Sequence, residues 1–143
     1  MGAADVVHSY LRAMTAGRWE EGFDHFAPDV TGYVPGRSAL AGRKQGRAEV
    51  EGYIRAVLER FGGRARVEVL DVLEGREHVG VLVREVLGGP GDGEGGEVGE
   101  GAGPAGGGPF ELLRLNTYRV RDGRIVEVRI FESDQDAADE HLG

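Results

Sequence analysis

The sequence predicts an α+β fold, a cone-shaped, curved antiparallel sheet with three helices covering a cavity. Three observations carry this expectation. Helical spacing of apolar residues is confined to the first part of the chain and strand alternation to the last part, which is how helices come to lie against one face of a sheet. The stretch from Phe110 to Asp134, FELLRLNTYRVRDGRIVEVRIFESD, reads as two long strands folded about Asp122-Gly123, a pair that accepts the positive φ of a tight hairpin. Polar residues also interrupt the apolar face of those strands, so that face is either an internally paired core or the wall of a pocket.

In chain order, Val6, Val7, Tyr10, Leu11 and Met14 recur at helical spacing, and Gly17 supplies a stop. A second helix over Arg18–Phe26 sets Trp19, Phe23 and Phe26 on one side and ends at Pro28. Val30–Val34 is a short β-prone run closed by Pro35-Gly36, and the polar, glycine-spaced segment 37–46 reads as a loop crossing a rim. From Arg47, the series Val50, Tyr53, Ile54, Val57, Leu58, Phe61 marks the clearest helix, ended by Gly62-Gly63.

Two strands follow, Arg64–Leu73 and His78–Leu87, joined by Glu74-Gly75-Arg76-Glu77. In the first, the apolar phase slips near Leu70, as a β-bulge in a bent sheet requires. In the second, Val79, Val81 and Val83 form one face and Glu85 continues it. Residues 88–109, GGPGDGEGGEVGEGAGPAGGGP, cannot repay the entropy of ordering, so they read as a flexible loop, either an inert insertion or a lid.

In the last pair, Leu112, Arg114, Asn116, Tyr118 and Val120 share one face, against Leu113, Leu115, Thr117 and Arg119. The return strand sets Val126, Val128 and Ile130, continued by Glu132, against Glu127, Arg129 and Phe131. Leu113, Leu115, Ile125 and Phe131 make an outward face too apolar to leave in water. Gln135–Leu142 is a short acidic tail with room for one or two helical turns.

At 143 residues the chain is expected to be one domain, 1–143. It carries 17 Lys and Arg against 25 Asp and Glu, a net charge of −8, which argues against a nucleic-acid partner. With no cysteine there is neither a disulfide nor a thiolate site. The absence of a signal sequence or a long apolar run predicts a soluble cytoplasmic protein without membrane contact. His8, His25, His78 and His141 show no paired ligand spacing, so no metal is expected, and without a P-loop or dinucleotide fingerprint no cofactor is expected either.

The stretches VVHSYLRAMTAGRWEEGFDHFAPDVTGYVPGRSALAG and YRVRDGRIVEVRIFESDQDAADE resemble the nuclear transport factor 2-like superfamily. Within it the chain is most similar to the SnoaL-like polyketide cyclases and their ketosteroid isomerase relatives. The resemblance implies the cone fold and homodimers formed sheet to sheet. The isomerases stabilise a dienolate with a tyrosine and a protonated aspartic acid and move the proton with a second carboxylate. By resemblance Tyr10 takes the tyrosine's place and Asn116 the acid's, where an amide N–H₂ would donate at any pH. The base position falls on Val34, which cannot take a proton, so the isomerase reaction does not carry over.

The candidate catalytic residues are therefore Tyr10, Asn116 and Glu132. Glu132 is either a base at the cavity rim or the ion-pair partner of Arg114 or Arg84. Trp19, Tyr33, Val34, Tyr53, Arg114 and Tyr118 are candidate substrate contacts. The leading expectation is a cofactor-independent polyketide cyclase of antibiotic biosynthesis, in the manner of ionophore pathways, closing a ring on a large apolar intermediate. A Diels–Alder-type, indane-forming 4+2 cycloaddition suits a site with donors and no clear base. The alternatives are an acid–base cyclase, dehydratase or epoxide hydrolase using Glu132 or Glu85, and a non-catalytic small-molecule binding module.

Overall fold

The computed structural model describes residues 2–60, 65–87 and 110–142. The Phe61-Gly62-Gly63 helix stop and the 88–109 loop lie outside them. The first helical run becomes α1 (Ala3–Thr15), which buries Val6, Val7, Tyr10, Leu11 and Ala13 along one side. Its first turn is closed by Asp5, whose carboxylate accepts the Gly2 N–H at 3.1 Å, and it stops at Gly17, with φ of 79°.

The second helix is shorter than expected. α2 (Trp19–Phe23) ends before Phe26, and the chain enters strand β1 (Phe26–Val34) there, so Pro28 lies inside a strand. The strand tolerates it because Pro28 is exposed and falls in the irregular stretch between Phe26 and Thr31, where no ladder N–H is required.

The polar segment after Pro35 also holds a strand, β2 (Gly42–Gln45), paired antiparallel with β1 from Thr31↔Gln45 to Val34↔Gly42. It is a mostly exposed edge strand, so it has no apolar alternation to announce it. Next comes α3 (Arg47–Arg60), then β3 (Ala65–Glu74), β4 (His78–Leu87), β5 (Phe110–Arg121), β6 (Arg124–Glu132) and α4 (Gln135–Leu142).

The sheet runs β2-β1-β6-β5-β4-β3. One pairing departs from the expected antiparallel sheet, since β1 and β6 run parallel, with Gly32 opposite Val128. The bulge foreseen at Leu70 is present as a register shift between Val69 and Asp71. A second shift, opposite Arg119/Val120, was not foreseen. Arg119 faces Glu127 and Val120 faces Ile125, which leaves Val126 as the extra residue. The phase beyond it reverses, so Ile125 is fully buried in the core rather than on the outward face. Asp122 and Gly123 turn the hairpin with φ of 53° and 75°.

The core has two parts. The larger gathers Val6, Val7, Phe23, Phe26, Val30, Val79, Val81 and Ile125 under α1 and α2. The smaller gathers Val57, Leu87, Phe110, Leu112 and Ala138 between α3, α4 and the sheet. α4 is tied to the β1–β2 connection: Asp139 accepts the Arg37 backbone N–H at 2.8 Å, and the Gln135 amide donates to the Pro35 carbonyl at 3.3 Å. Gly36 sits beneath this contact at φ 102°, where a Cβ would collide with Asp139 and Gln135. Among the described residues, no helix is long and apolar enough to cross a membrane.

Candidate functional site

Between the helices and the inner sheet face lies a cavity of about 560 Å³, within the range of small-molecule sites. Its apolar walls come from Leu11 and Met14 of α1, Phe26 of β1, Val50, Ile54 and Val57 of α3, Val83 of β4, and Val128 and Ile130 of β6. Of the residues predicted from sequence, Tyr10, Trp19, Tyr33, Val34, Tyr53, Arg114, Asn116 and Tyr118 all border it, and Glu132 does not. Tyr33 contributes little of its ring. Gly32 faces inward toward Val50, so Tyr33 faces outward and lies under the Arg129 guanidinium, 3.8 Å from the ring centroid.

The strand register brings the polar residues together. Arg114, Asn116 and Tyr118 occupy successive inward positions of β5, opposite Val83, Val81 and Val79 of β4 and Glu132, Ile130 and Val128 of β6. Arg114 is 4% exposed and held from both sides: it donates to Glu85 Oε2 at 2.8 Å and pairs with Glu132 through Nε. Burial alone would lower the guanidinium's pKa, but Glu85 and Glu132 outweigh it and keep Arg114 a cation. The Glu132 carboxyl is pushed up by burial, with the Arg114 cation opposing, and its Oε2 has no partner. Glu132 thus braces Arg114 from behind, while Glu85, which borders the cavity, is the carboxylate nearest a guest.

Three phenols face the same space. Tyr10 and Tyr118 pack at 5.5 Å between ring centroids, and Tyr10 meets Phe26 at 5.3 Å. Burial raises the pKa of Tyr10 well above the ordinary phenol value. It raises that of Tyr118 too, opposed by hydrogen bonding from the Asn116 amide and the Tyr10 hydroxyl. Tyr53 is pushed up to about 12, chiefly by burial and against the pull of Arg114, and its hydroxyl has no hydrogen-bond partner. At neutral pH all three are neutral hydroxyls, able to donate but not to act as phenolate bases. The Asn116 amide oxygen is likewise buried without a partner.

Sequence reasoning passed over Lys44 and Gly32, which also border the cavity. A Cβ at Gly32 would stand 3.4 Å from Val50 and 3.5 Å from Lys44, so glycine lets α3 come close to β1. The available signal was a glycine inside a strand, which marks close approach. Lys44 lies on the strand that carried no pattern. Among the described residues, no group of three or more His, Asp or Glu side chains is placed to hold a metal.

The profile of the SnoaL-like domain family matches residues 7–128. No curated protein matches the chain significantly. Among solved structures, a Xanthomonas campestris protein of unknown function with a cystatin-like fold superposes with a TM-score of 0.82 at 23% identity, over 100% of this chain and 99% of that one. TerC, co-crystallised with polyporic acid, gives 0.75 at 17% identity over 98% and 97%. A protein described as a SnoaL-like polyketide cyclase, from Jannaschia sp. CCS1, gives 0.67 at 19% identity over 92% and 87%. At these identities the structures speak for the fold alone.

Proposed function

Because the chain belongs to the SnoaL-like domain family, within the nuclear transport factor 2-like superfamily, we propose that it is a cofactor-independent polyketide cyclase. In this reading it works in the cytoplasm, in antibiotic biosynthesis of the ionophore kind, closing a ring on a large, mostly apolar intermediate. The observation that supports this best is a cavity of about 560 Å³ with apolar walls, into which the neutral hydroxyls of Tyr10, Tyr118 and Tyr53 and the amide of Asn116 are gathered beside the charged Lys44, Arg66, Arg114 and Glu85. The cyclase description of the Jannaschia protein and the polyporic acid in TerC support a small-molecule guest.

The chemistry follows from that wall. A flexible chain folded inside a fixed hollow has its reacting ends held together, which replaces the entropy cost of their meeting. Neutral donors aimed at a carbonyl withdraw electron density from the conjugated carbons beside it. That assistance suits a Diels–Alder-type 4+2 closure, which forms two carbon–carbon bonds and moves no proton. Tyr118 supplies the donor, its oxygen accepting from the Tyr10 hydroxyl and the Asn116 amide, which together polarise its proton toward the guest. Glu132 acts on the site through Arg114, as a positioning residue.

The test is cyclisation of a linear triene–enone polyketide, followed by chromatography. The double variant Tyr10→Phe, Asn116→Ala is expected to close the ring at least about tenfold more slowly, the loss of one hydrogen bond's worth of barrier lowering. Undiminished closure removes the donor role. Binding of precursor and product without turnover supports a binding module instead.

A second reading has its own observation. Glu85 places a carboxylate at the cavity wall, where it could serve as the base of an aldol-type cyclisation, a dehydration or an epoxide opening. That reading expects a carboxylate limb in the pH–rate profile and loss of rate in Glu85→Gln. A profile flat between about pH 5 and 9 supports the pericyclic reading.

We also propose that the outward sheet face is covered by a second copy of the chain. Leu113, Phe131 and Leu73 are 43%, 50% and 54% exposed there, an apolar surface suited to a sheet-to-sheet homodimer. Sedimentation as a monomer at micromolar concentration would count against it.

A further inference from the structure

We infer that the guest of this cavity is a hydroxyl- or enol-bearing carbonyl compound, one that donates a hydrogen bond to Asn116 Oδ1 and accepts one from the Tyr53 hydroxyl. The inference rests on the small-molecule reading above and narrows it.

The argument starts from what surrounds Asn116. Its neighbours across the sheet are Val81 on β4 and Ile130 on β6, neither of which has a polar side chain. The next inward residues along β5 are Arg114 and Tyr118. The Nη1 and Nε donors of Arg114 are taken by Glu85 and Glu132. Hydrogen bonding from the Asn116 side chain holds the Tyr118 pKa down against burial, and an amide donates only through its nitrogen. What remains is the amide oxygen, buried, with no protein donor to meet it, on a residue that borders the cavity. A buried acceptor in that state is unfavourable until something supplies a donor. By resemblance alone Asn116 would be a donor to the guest. Its surroundings make it an acceptor.

Tyr53 gives the complementary half. It reaches in from α3 beside Arg114, its oxygen is buried, and its proton has no acceptor within the protein. Glu85, the carboxylate at hand, is already engaged by Arg114 at 2.8 Å. The Tyr53 hydroxyl can therefore donate to a carbonyl of the guest. A plain hydrocarbon would leave both atoms unmatched. A carboxylate would set negative charge against the Asn116 oxygen and Glu85. A hydroxyl or enol together with a carbonyl matches both.

The experiment measures dissociation constants of four small probes by titration calorimetry: naphthalene, 2-naphthol, 2-acetylnaphthalene and 2-naphthoate. In the unmodified protein, 2-naphthol and 2-acetylnaphthalene are each expected to bind about tenfold more tightly than naphthalene, the usual worth of one net hydrogen bond, and 2-naphthoate most weakly. Asn116→Leu should erase the gain of 2-naphthol and spare that of 2-acetylnaphthalene, and Tyr53→Phe should do the reverse. Unchanged naphthalene affinity shows that a variant kept its cavity. If Asn116→Leu loses it, Asn116→Ala is read in its place by the same ratio.

The inference is overturned if 2-naphthol gains nothing over naphthalene, or if Asn116→Leu erases the gain of 2-acetylnaphthalene instead, which would mean that the amide presents its N–H₂. If naphthalene itself does not bind, both the inference and the cavity reading fall. If the probe pattern holds and no linear precursor is cyclised, the cyclase reading falls and this inference stands.

Discussion

Arg114 and Asn116 are neighbours on the inward stripe of one strand, and they meet burial in opposite ways. Around Arg114 the protein supplies two carboxylates for one guanidinium, with Tyr53 beside them. Around Asn116 it supplies apolar walls and leaves the amide oxygen without a partner. The first is a polar interruption completed from within the chain. The second is left open, and such an opening is what a binding site requires. The two interruptions look alike in sequence, because alternation shows that a polar residue points inward but not what it will meet.

The largest test of this contrast is Arg114→Met. It strands Glu85 and Glu132 beside one another without a cation, and is expected to cost about 3–5 kcal/mol in urea unfolding. Replacing Glu132 by Leu in the same chain should return part of that loss by removing one of the stranded charges. Asn116→Leu is expected to behave differently: stability within about 1 kcal/mol of the wild type, because losing an acceptor that the protein never satisfied offsets the loss of the amide's bond to Tyr118. A loss as large as that of Arg114→Met would erase the distinction between the two positions.

The smallest effect concerns α4, whose Ala138 joins Val57, Leu87, Phe110 and Leu112 in the smaller core cluster. The Arg37 backbone N–H, ahead of Gln135, holds the Asp139 carboxyl below its ordinary value of 3.8. A depressed folded-state pKa gives stability that is fully present above 3.8 and is lost as the pH falls through the folded value. The difference between the wild type and Asp139→Asn in chemical unfolding should therefore be constant at neutral pH and shrink in acid. Probe affinity in the cavity should not change.

Much of the fold was legible because local rules and tertiary structure agree there. Alternation and the Asp122-Gly123 turn define the β5–β6 hairpin, and the slip near Leu70 marks a real bulge. β2 was not legible, because an exposed edge strand needs no apolar residues. Pro28 misled because a helix stop and a strand irregularity use the same residue. Ile125 was assigned to the wrong face because one extra residue, Val126, reverses a period of two without leaving a trace in composition. In the site, the positions of Tyr10, Asn116 and Tyr118 followed from spacing and resemblance. That Glu85 and Glu132 both pair with Arg114 while Glu85 alone of the two borders the cavity did not, because it depends on which neighbouring strand supplies each carboxylate.

The parallel seam between β1 and β6 sets an order of events during synthesis. Thr31 waits for Glu127 and Tyr33 for Arg129, so this side of the sheet cannot be joined until nearly every other strand has left the ribosome. Contacts so distant along the chain form slowly. Until that seam closes, Phe26 and Val30 stay without Ile125, their partner in the larger core cluster, and the inner wall they belong to stays open to water.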